Sequence, residues 1–272
     1  MSDDGPDFRS VPGIDTTRAN SARIWDYLLG GREHYPIDRE LAEEVAAFLP
    51  DIVEQARADR LFLSRVIRFL AGEAEITQFL DIGTGLPTAN NTHEVAQRAN
   101  PACKIVYVDN DPLVLAHARA LLTSTPEGET AYLDADMHEP DYILDQAQNT
   151  LDLSQPVAIT MLGVFWHILE DSEASRIMGR LLARVPSGSY LAVSQQTLEV
   201  TGEQAARAVR LWNERGSPPG VWRSPEQIED LFRGQGLELI EPGVVTCTRW
   251  RPETEQFELP ETDQFAAVGR KP

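Results

Sequence analysis

The chain has 272 residues, 42% of them apolar, and a formal net charge of −19. That length and apolar content suit one large domain or two small ones around a sizeable core. The charge excludes a broad binding surface for nucleic acid or for an anionic membrane, since both ask for a basic face.

Residues 1–13, with Pro6, Pro12 and Gly13, read as a flexible tail. A short helix over about Ser21–Leu29 stops at Gly30-Gly31. The loop after it carries Arg32, His34 and Tyr35. Charged and aromatic groups behind a glycine hinge suit a lid over a ligand; the other reading is an arm packing Trp25 and Tyr27 on the body. Leu41, Val45, Phe48 and Leu49 recur at helical spacing across residues 37–49, and Pro50 ends that helix. A longer helix runs from about Asp51 to Ala71. Its Arg57, Arg60, Arg65 and Arg68 form a solvated face paired with Glu54 and Asp59, or one of them, Arg60, turns inward as a fork for a ligand carboxylate. Residues 14–71 are therefore expected to form a helical cap over a domain spanning 72–272.

From Ile76 onward strands and helices alternate, which specifies a parallel α/β sheet. The spacing predicts strands over Ile76–Ile82, Lys104–Val108, Thr130–Leu133, Val157–Leu162 and Tyr190–Val193. Between and after them it predicts helices over about Thr88–Arg98, from Pro112 with Asp111 as cap, Tyr142–Thr150, Ser172–Val185 and Gly202–Asn213. Ser224-Pro225-Glu226-Gln227 is a capping box for a helix reaching about Arg233. The last apolar runs, Leu237–Ile240, Val244–Trp250 and Phe265–Val268, follow one another with no helix between them, which implies an antiparallel hairpin at the sheet edge.

The chemistry concentrates at the carboxyl ends of these strands, where open α/β sheets bind ligands. After the first strand comes Asp81-Ile82-Gly83-Thr84-Gly85, a tight turn that lets a ligand lie against the backbone and meet the N–H groups of a helix start. A dinucleotide fingerprint would place a third glycine at Thr88 and does not. Asp81 would repel a pyrophosphate and attract an ammonium or a sulfonium. S-adenosylmethionine carries both cations and no phosphate, so the turn favours that cofactor over a nicotinamide one. Asp109, ending the second strand and followed by Asn110, is placed to accept from ribose hydroxyls. Asp136 and Met137 follow the third strand and suit an adenine, the carboxylate accepting from its amine and the thioether packing on its ring. The fourth strand delivers Leu162 and Gly163 to the cofactor, then Trp166 and His167 to a substrate, with Tyr35 facing it from the lid. Tyr27 and Arg60 complete the expected cofactor contacts. No catalytic residue is specified; a base, if the reaction uses one, would be His167 or His34.

The five histidines and two cysteines show no metal-ligand spacing, and neither a nucleophile elbow nor a Walker lysine is present. Cys103 and Cys247 read as small core residues in a reducing, cytoplasmic setting. The acidic start Met1-Ser2-Asp3-Asp4 does not read as a signal peptide, and no apolar run reaches the roughly 18 residues of a membrane span.

The order of elements, with acids after the first three strands, resembles the class I S-adenosylmethionine-dependent methyltransferases. More closely, Trp25-Asp26-Tyr27-Leu28-Leu29-Gly30-Gly31, Gly83-Thr84-Gly85-Leu86-Pro87-Thr88, Val106-Tyr107-Val108-Asp109-Asn110-Asp111-Pro112 and Glu241-Pro242-Gly243-Val244-Val245 resemble a bacterial methyltransferase family first catalogued as a domain of unknown function. The resemblance implies a Rossmann-like seven-stranded sheet, mostly parallel and closing with a C-terminal antiparallel hairpin. It implies S-adenosylmethionine as donor, S-adenosylhomocysteine as product and a small-molecule substrate. A module that binds the cofactor without turnover, a nicotinamide oxidoreductase and an aminopropyl transferase are the competing readings.

Overall fold

The structure, a computed structural model, describes residues 14–87, 90–121, 123–253 and 259–272. The expected tail over 1–13 and the expected helix start at Thr88 lie outside these residues.

Largely apolar runs form the central strands β2 (Gln78–Ile82, with Asp81 inside it), β3 (Lys104–Asp109), β5 (Ala158–Leu162) and β6 (Tyr190–Gln196), with β4 (Glu129–Asp134) beyond β3. These five strands run parallel in the order β4-β3-β2-β5-β6. The crossovers are α4 (Thr92–Ala99), α5 (Pro112–Leu121), α6 (Pro140–Ala147) and α7 (Asp171–Ala183). α4 starts later than the spacing suggests, because Asn91 and Glu94 form a reciprocal capping box there. After β6 come α8 (Glu203–Arg215) and α9 (Pro225–Gly234), the latter capped by Ser224 and Gln227 as expected.

β10 (Gln264–Arg270) pairs antiparallel with β6 along seven register positions, from Gln264↔Gln196 to Arg270↔Tyr190. The sheet has eight strands among the described residues, not seven. The extra strand arises because two short ones share the outer edge of β10: β8 (Glu238–Leu239) and β9 (Val245–Thr246). Pro242 and Gly243 (φ +87°) turn the chain off the edge between them. The expected strand Val244–Trp250 is only β9, followed by a 3₁₀ turn over Cys247–Arg249.

The N-terminal segment packs above the carboxyl edge of the sheet. It comprises β1 (Ala19–Asn20), α1 (Ser21–Leu28), α2 (Pro36–Ala46) and α3 (Ile52–Arg68). β1 pairs in parallel with β7 (Gly216–Ser217), directly after α8, which ties the start of the chain to the insertion beyond β6. A buried ion pair joins α1 to α2: Arg23 Nε lies 2.9 Å from Asp38 Oδ2, with both side chains almost fully buried. Asp38 also accepts from the backbone N–H groups of Asn20 (2.9 Å) and Tyr35 (2.8 Å). Removing one partner strands the other charge away from water, so Arg23→Met is expected to cost about 3–5 kcal/mol. Arg23→Met with Asp38→Asn should recover most of that loss. Denaturant unfolding midpoints check both, and equal stability of Arg23→Met and wild type would refute the pairing. Among the described residues no helix is long and apolar enough to cross a membrane.

Candidate functional site

The strand order reverses between β2 and β5, since β3 and β4 lie on one side of β2 and β5 on the other. A cavity of about 190 Å³ opens at that point, walled by the carboxyl ends of β2, β3, β4 and β5 and roofed by α1 and α3. Six carboxylates line it: Asp26, Asp59, Asp81, Asp109, Asp111 and Asp136. Arg60 is the one guanidinium among the described residues of its walls, with His138 and His167 also lining it. So acidic a cleft attracts a cation and repels a phosphate.

Each carboxylate is held in place by short local bonds. Asp81 accepts from Thr92 Oγ1 (2.6 Å) and Thr160 Oγ1 (2.9 Å), so α4 and β5 both fix it. Burial pushes its pKa up, against those two bonds. Asp109 accepts from the Gly85 N–H at 2.9 Å through one oxygen and from the Asp111 N–H at 3.0 Å through the other. That contact closes the glycine turn onto the end of β3. Burial raises Asp109 to about 6, and the two backbone donors only partly counter it. Asp111 accepts from the Leu113 N–H (2.8 Å) and so caps α5, which leaves Asp109 available to a ligand. Asp136 accepts from the His138 N–H (2.9 Å) and lies 2.6 Å from His138 Nδ1. Burial pulls Asp136 upward, but these His138 contacts bring it below its ordinary value.

Gly83 (φ +75°) and Gly85 (φ +67°) both adopt the left-handed region, where glycine alone is unstrained. Their surroundings differ. A Cβ on Gly83 would fall 2.4 Å from Val164 Cβ, whereas one on Gly85 would meet nothing within 4 Å. Gly83 is needed by the fold, and Gly85 borders open space. In the loop after α1, a Cβ on Gly31 would fall 1.9 Å from Asp26 Oδ1, so that glycine lets Asp26 reach the Glu33 N–H at 2.7 Å.

Asp81, Gly83, Thr84, Gly85, Asp109, Asn110, Asp136, Met137, Leu162, Gly163, Arg60 and His167 all line this cavity. Arg60 sits on the roof, donating to the Asn90 carbonyl at 3.3 Å, and burial lowers its pKa while Asp59 and Asp81 raise it. Tyr27 does not line the cavity: its hydroxyl donates to Glu43 at 2.9 Å. His34 packs edge-on against Tyr27, 3.5 Å from Asp26, also outside the lining. Tyr35 precedes α2 and lies under the Arg23 guanidinium, away from the cavity. Tyr27 lies on α1, ahead of the glycine pair, and beyond that pair the loop packs toward α5, with Glu33 3.3 Å from His117 and Tyr35 against Leu86 and Leu113.

His167 sits in a 3₁₀ turn over Phe165–His167, clamped by Arg223, which donates to the Ile168 carbonyl at 2.7 Å. Its Nδ1 donates to the Pro219 carbonyl at 2.8 Å, which fixes the tautomer and leaves Nε2 as an acceptor. Nε2 is buried with no partner among the described residues. Burial lowers the ring to about 4, so it stays neutral at pH 7, below the range wanted of a general base.

Asp59 is the residue the sequence reading missed. It was assigned to the solvated face of α3, yet it is buried, accepts from Ser194 Oγ and from Gln264 Nε2 (3.1 Å), and lines the cavity. Its donors come from β6 and β10, far away in sequence. One signal was available: Asp59 falls on the same helical face as Phe62, Val66 and Leu70.

An S-adenosyl methyltransferase family profile matches residues 9–272. The chain belongs to that family. The resemblance read from the sequence therefore holds, and membership implies the use of S-adenosylmethionine. Two solved structures agree along the whole chain. A DUF574 family protein from Streptomyces avermitilis MA-4680 is 43% identical, covering 95% of this chain and 99% of that one, with a TM-score of 0.89. A candidate methyltransferase from Thermobifida fusca YX is 39% identical, covering 96% and 97%, with a TM-score of 0.86. An O-methyltransferase family protein from Burkholderia thailandensis, 15% identical with a TM-score of 0.53 over 83% of this chain and 62% of that one, shares the fold. Comparison with curated proteins gave no match.

Proposed function

We propose that this chain transfers a methyl group from S-adenosylmethionine to a small-molecule acceptor, releasing S-adenosylhomocysteine. One observation carries the reading: among the described residues, six carboxylates and a single guanidinium line the cavity around the glycine turn at the strand-order reversal. Asp109 would take the ribose hydroxyls, Asp136 and Met137 the adenine, and Arg60 the methionine carboxylate. Asp81 and the Gly83-Thr84-Gly85 turn would hold the methionine end, with Asn110, Leu162 and Gly163 completing the wall. Asp59 joins this set, and Tyr27 leaves it. The residues present fit such a group: the turn leaves space at Gly85, and the surrounding charge suits a cation.

When bound, the cofactor supplies an electrophilic methyl on a sulfonium. The chain's own task is to orient, to exclude water and to keep the acceptor in line, a contribution on the order of 7–11 kcal/mol when fully realised. α1 and α3 do the excluding from above, in the role of a cap. His167 offers a neutral acceptor to a hydroxyl or amine on the substrate; its low pKa restricts it to positioning a nucleophile before its proton is lost.

Calorimetry with S-adenosylhomocysteine, followed by detection of that product with a panel of small-molecule acceptors, tests the reading. Cofactor binding and product formation are expected. Absent affinity for S-adenosylhomocysteine alongside NADH binding would overturn it, and tight binding with no product from a broad panel would favour a non-catalytic module.

A further inference from the structure

A second cavity of about 70 Å³ adjoins the first, sharing Ser21, Trp25 and Gly163 with it. It lies beneath α1 and α2, against α8 and the ends of β6 and β10. One water needs only about 10–15 Å³, so there is room for a group of ring size. Among the described residues its walls carry no charged side chain. The rings of Trp25, Trp166 and Trp212 dominate them, and Trp166 and Trp212 stand 5.6 Å apart between centroids.

The fold is adapted to these rings. A Cβ on Gly220 would lie 2.1 Å from the Trp166 ring, and one on Gly216 would lie 2.5 Å from the Trp212 ring. Trp212 Nε1 donates to the Pro218 carbonyl at 2.8 Å, which sets its plane. The polar atoms of the wall are few. Gln264 is fully buried, and its Nε2 donates to Asp59. That bond fixes the amide, so Oε1 is the acceptor, and it has no donor among the described residues. A buried acceptor without a donor costs free energy until a ligand supplies one.

We propose that this cavity is the acceptor subsite and that it selects an uncharged, flat, largely apolar molecule bearing one N–H or O–H donor. Its role as acceptor subsite rests on the methyl-transfer reading. A charged acceptor would lose its hydration with nothing to replace it. A flat ring would stack among the tryptophans and meet Gln264 Oε1 with its donor. Gly163, shared by both cavities, is where the acceptor would come within reach of the donor site; a Cβ there would sit 3.4 Å from Asp59 Oδ2 and 3.8 Å from the Trp25 ring.

The test uses indole as probe, with benzofuran (the same shape without the N–H) and indole-2-carboxylate as comparisons. Ligand-observed NMR titrations run on the full chain saturated with S-adenosylhomocysteine. Indole should bind wild type at least fivefold more tightly than benzofuran, and the carboxylate should not bind. Ala208→Phe and Ala42→Leu fill the cavity from α8 and α2 without touching the first cavity. Whichever folds, by circular dichroism and by retained S-adenosylhomocysteine affinity, should bind indole at least tenfold more weakly. No indole binding to wild type, equal binding in the filled variants, or equal binding of either comparison compound overturns the proposal. Failure of S-adenosylhomocysteine to bind wild type instead sinks the methyl-transfer reading, and the same titrations without it still report on the cavity.

Discussion

Asp109→Ala is expected to weaken S-adenosylhomocysteine binding at least a hundredfold in calorimetry. A carboxylate accepting from two ribose hydroxyls makes two charge-assisted bonds worth about 1.5–3 kcal/mol each, and tenfold in affinity is about 1.4 kcal/mol. The variant also frees the Gly85 and Asp111 N–H groups that Asp109 holds at 2.9 and 3.0 Å, so the glycine turn loosens as well. Asp109→Asn separates the two effects, because its amide oxygen still accepts from one backbone N–H. Asn should keep most of the stability and lose most of the affinity.

The pH profile gives a second readout of the same residue. With its pKa raised to about 6, Asp109 takes up a proton as pH falls through that value. Hydroxyl donors prefer the ionised form, so wild-type affinity should be flat above pH 7. It should fall by up to about tenfold per pH unit below 6, since one proton is linked to binding. Stability of the empty chain runs the other way for this group. The folded state holds the extra proton between about pH 4 and 6, so Asp109 stabilises the empty fold as pH drops through that window and ceases to as pH rises past 6. The affinity step should vanish in Asp109→Asn. A wild-type profile flat from pH 7 to 5, or near-wild-type affinity in Asp109→Ala, would count against the ribose role.

Gly83→Ala and Gly85→Ala should fail differently. At Gly83 the new methyl strikes Val164 and also holds φ at +75°. Overpacking of about 1–3 kcal/mol adds to a left-handed penalty of about 1–2 kcal/mol, so a melting point lower by several degrees is expected. Val164 leads into the turn that carries His167, so the displaced loop should weaken S-adenosylhomocysteine binding at least tenfold. Adding Val164→Gly removes the struck atoms and should restore part of the stability, leaving the backbone penalty. At Gly85 only φ is strained, so stability should fall by about 1–2 kcal/mol while affinity drops because a methyl enters the open space at the turn. Equal melting points for the two variants would contradict the assigned roles.

How much of this could be read in the residues depends on distance along the chain. The alternation of strands and helices, the caps at Asp111 and Ser224, and the run from Asp81 through Gly85 to Asp109 are governed by side-chain period and backbone sterics within about ten residues. They stand close to where the spacing places them. Other features depend on partners remote in sequence. Asp59 leaves the solvated face because Ser194 and Gln264, more than a hundred residues away, supply its bonds. The eighth strand exists because β8 and β9 divide one edge of β10. Tyr27, His34 and Tyr35 stand outside the cavity lining, held by Glu43, by Asp26 and by Leu86 with Leu113. The second cavity joins Trp25, Trp166, Trp212 and Gln264 from four separate elements. Local pattern specifies which elements form and which ends carry acids; which side chains face one another follows from packing the elements together, and no spacing rule encodes it.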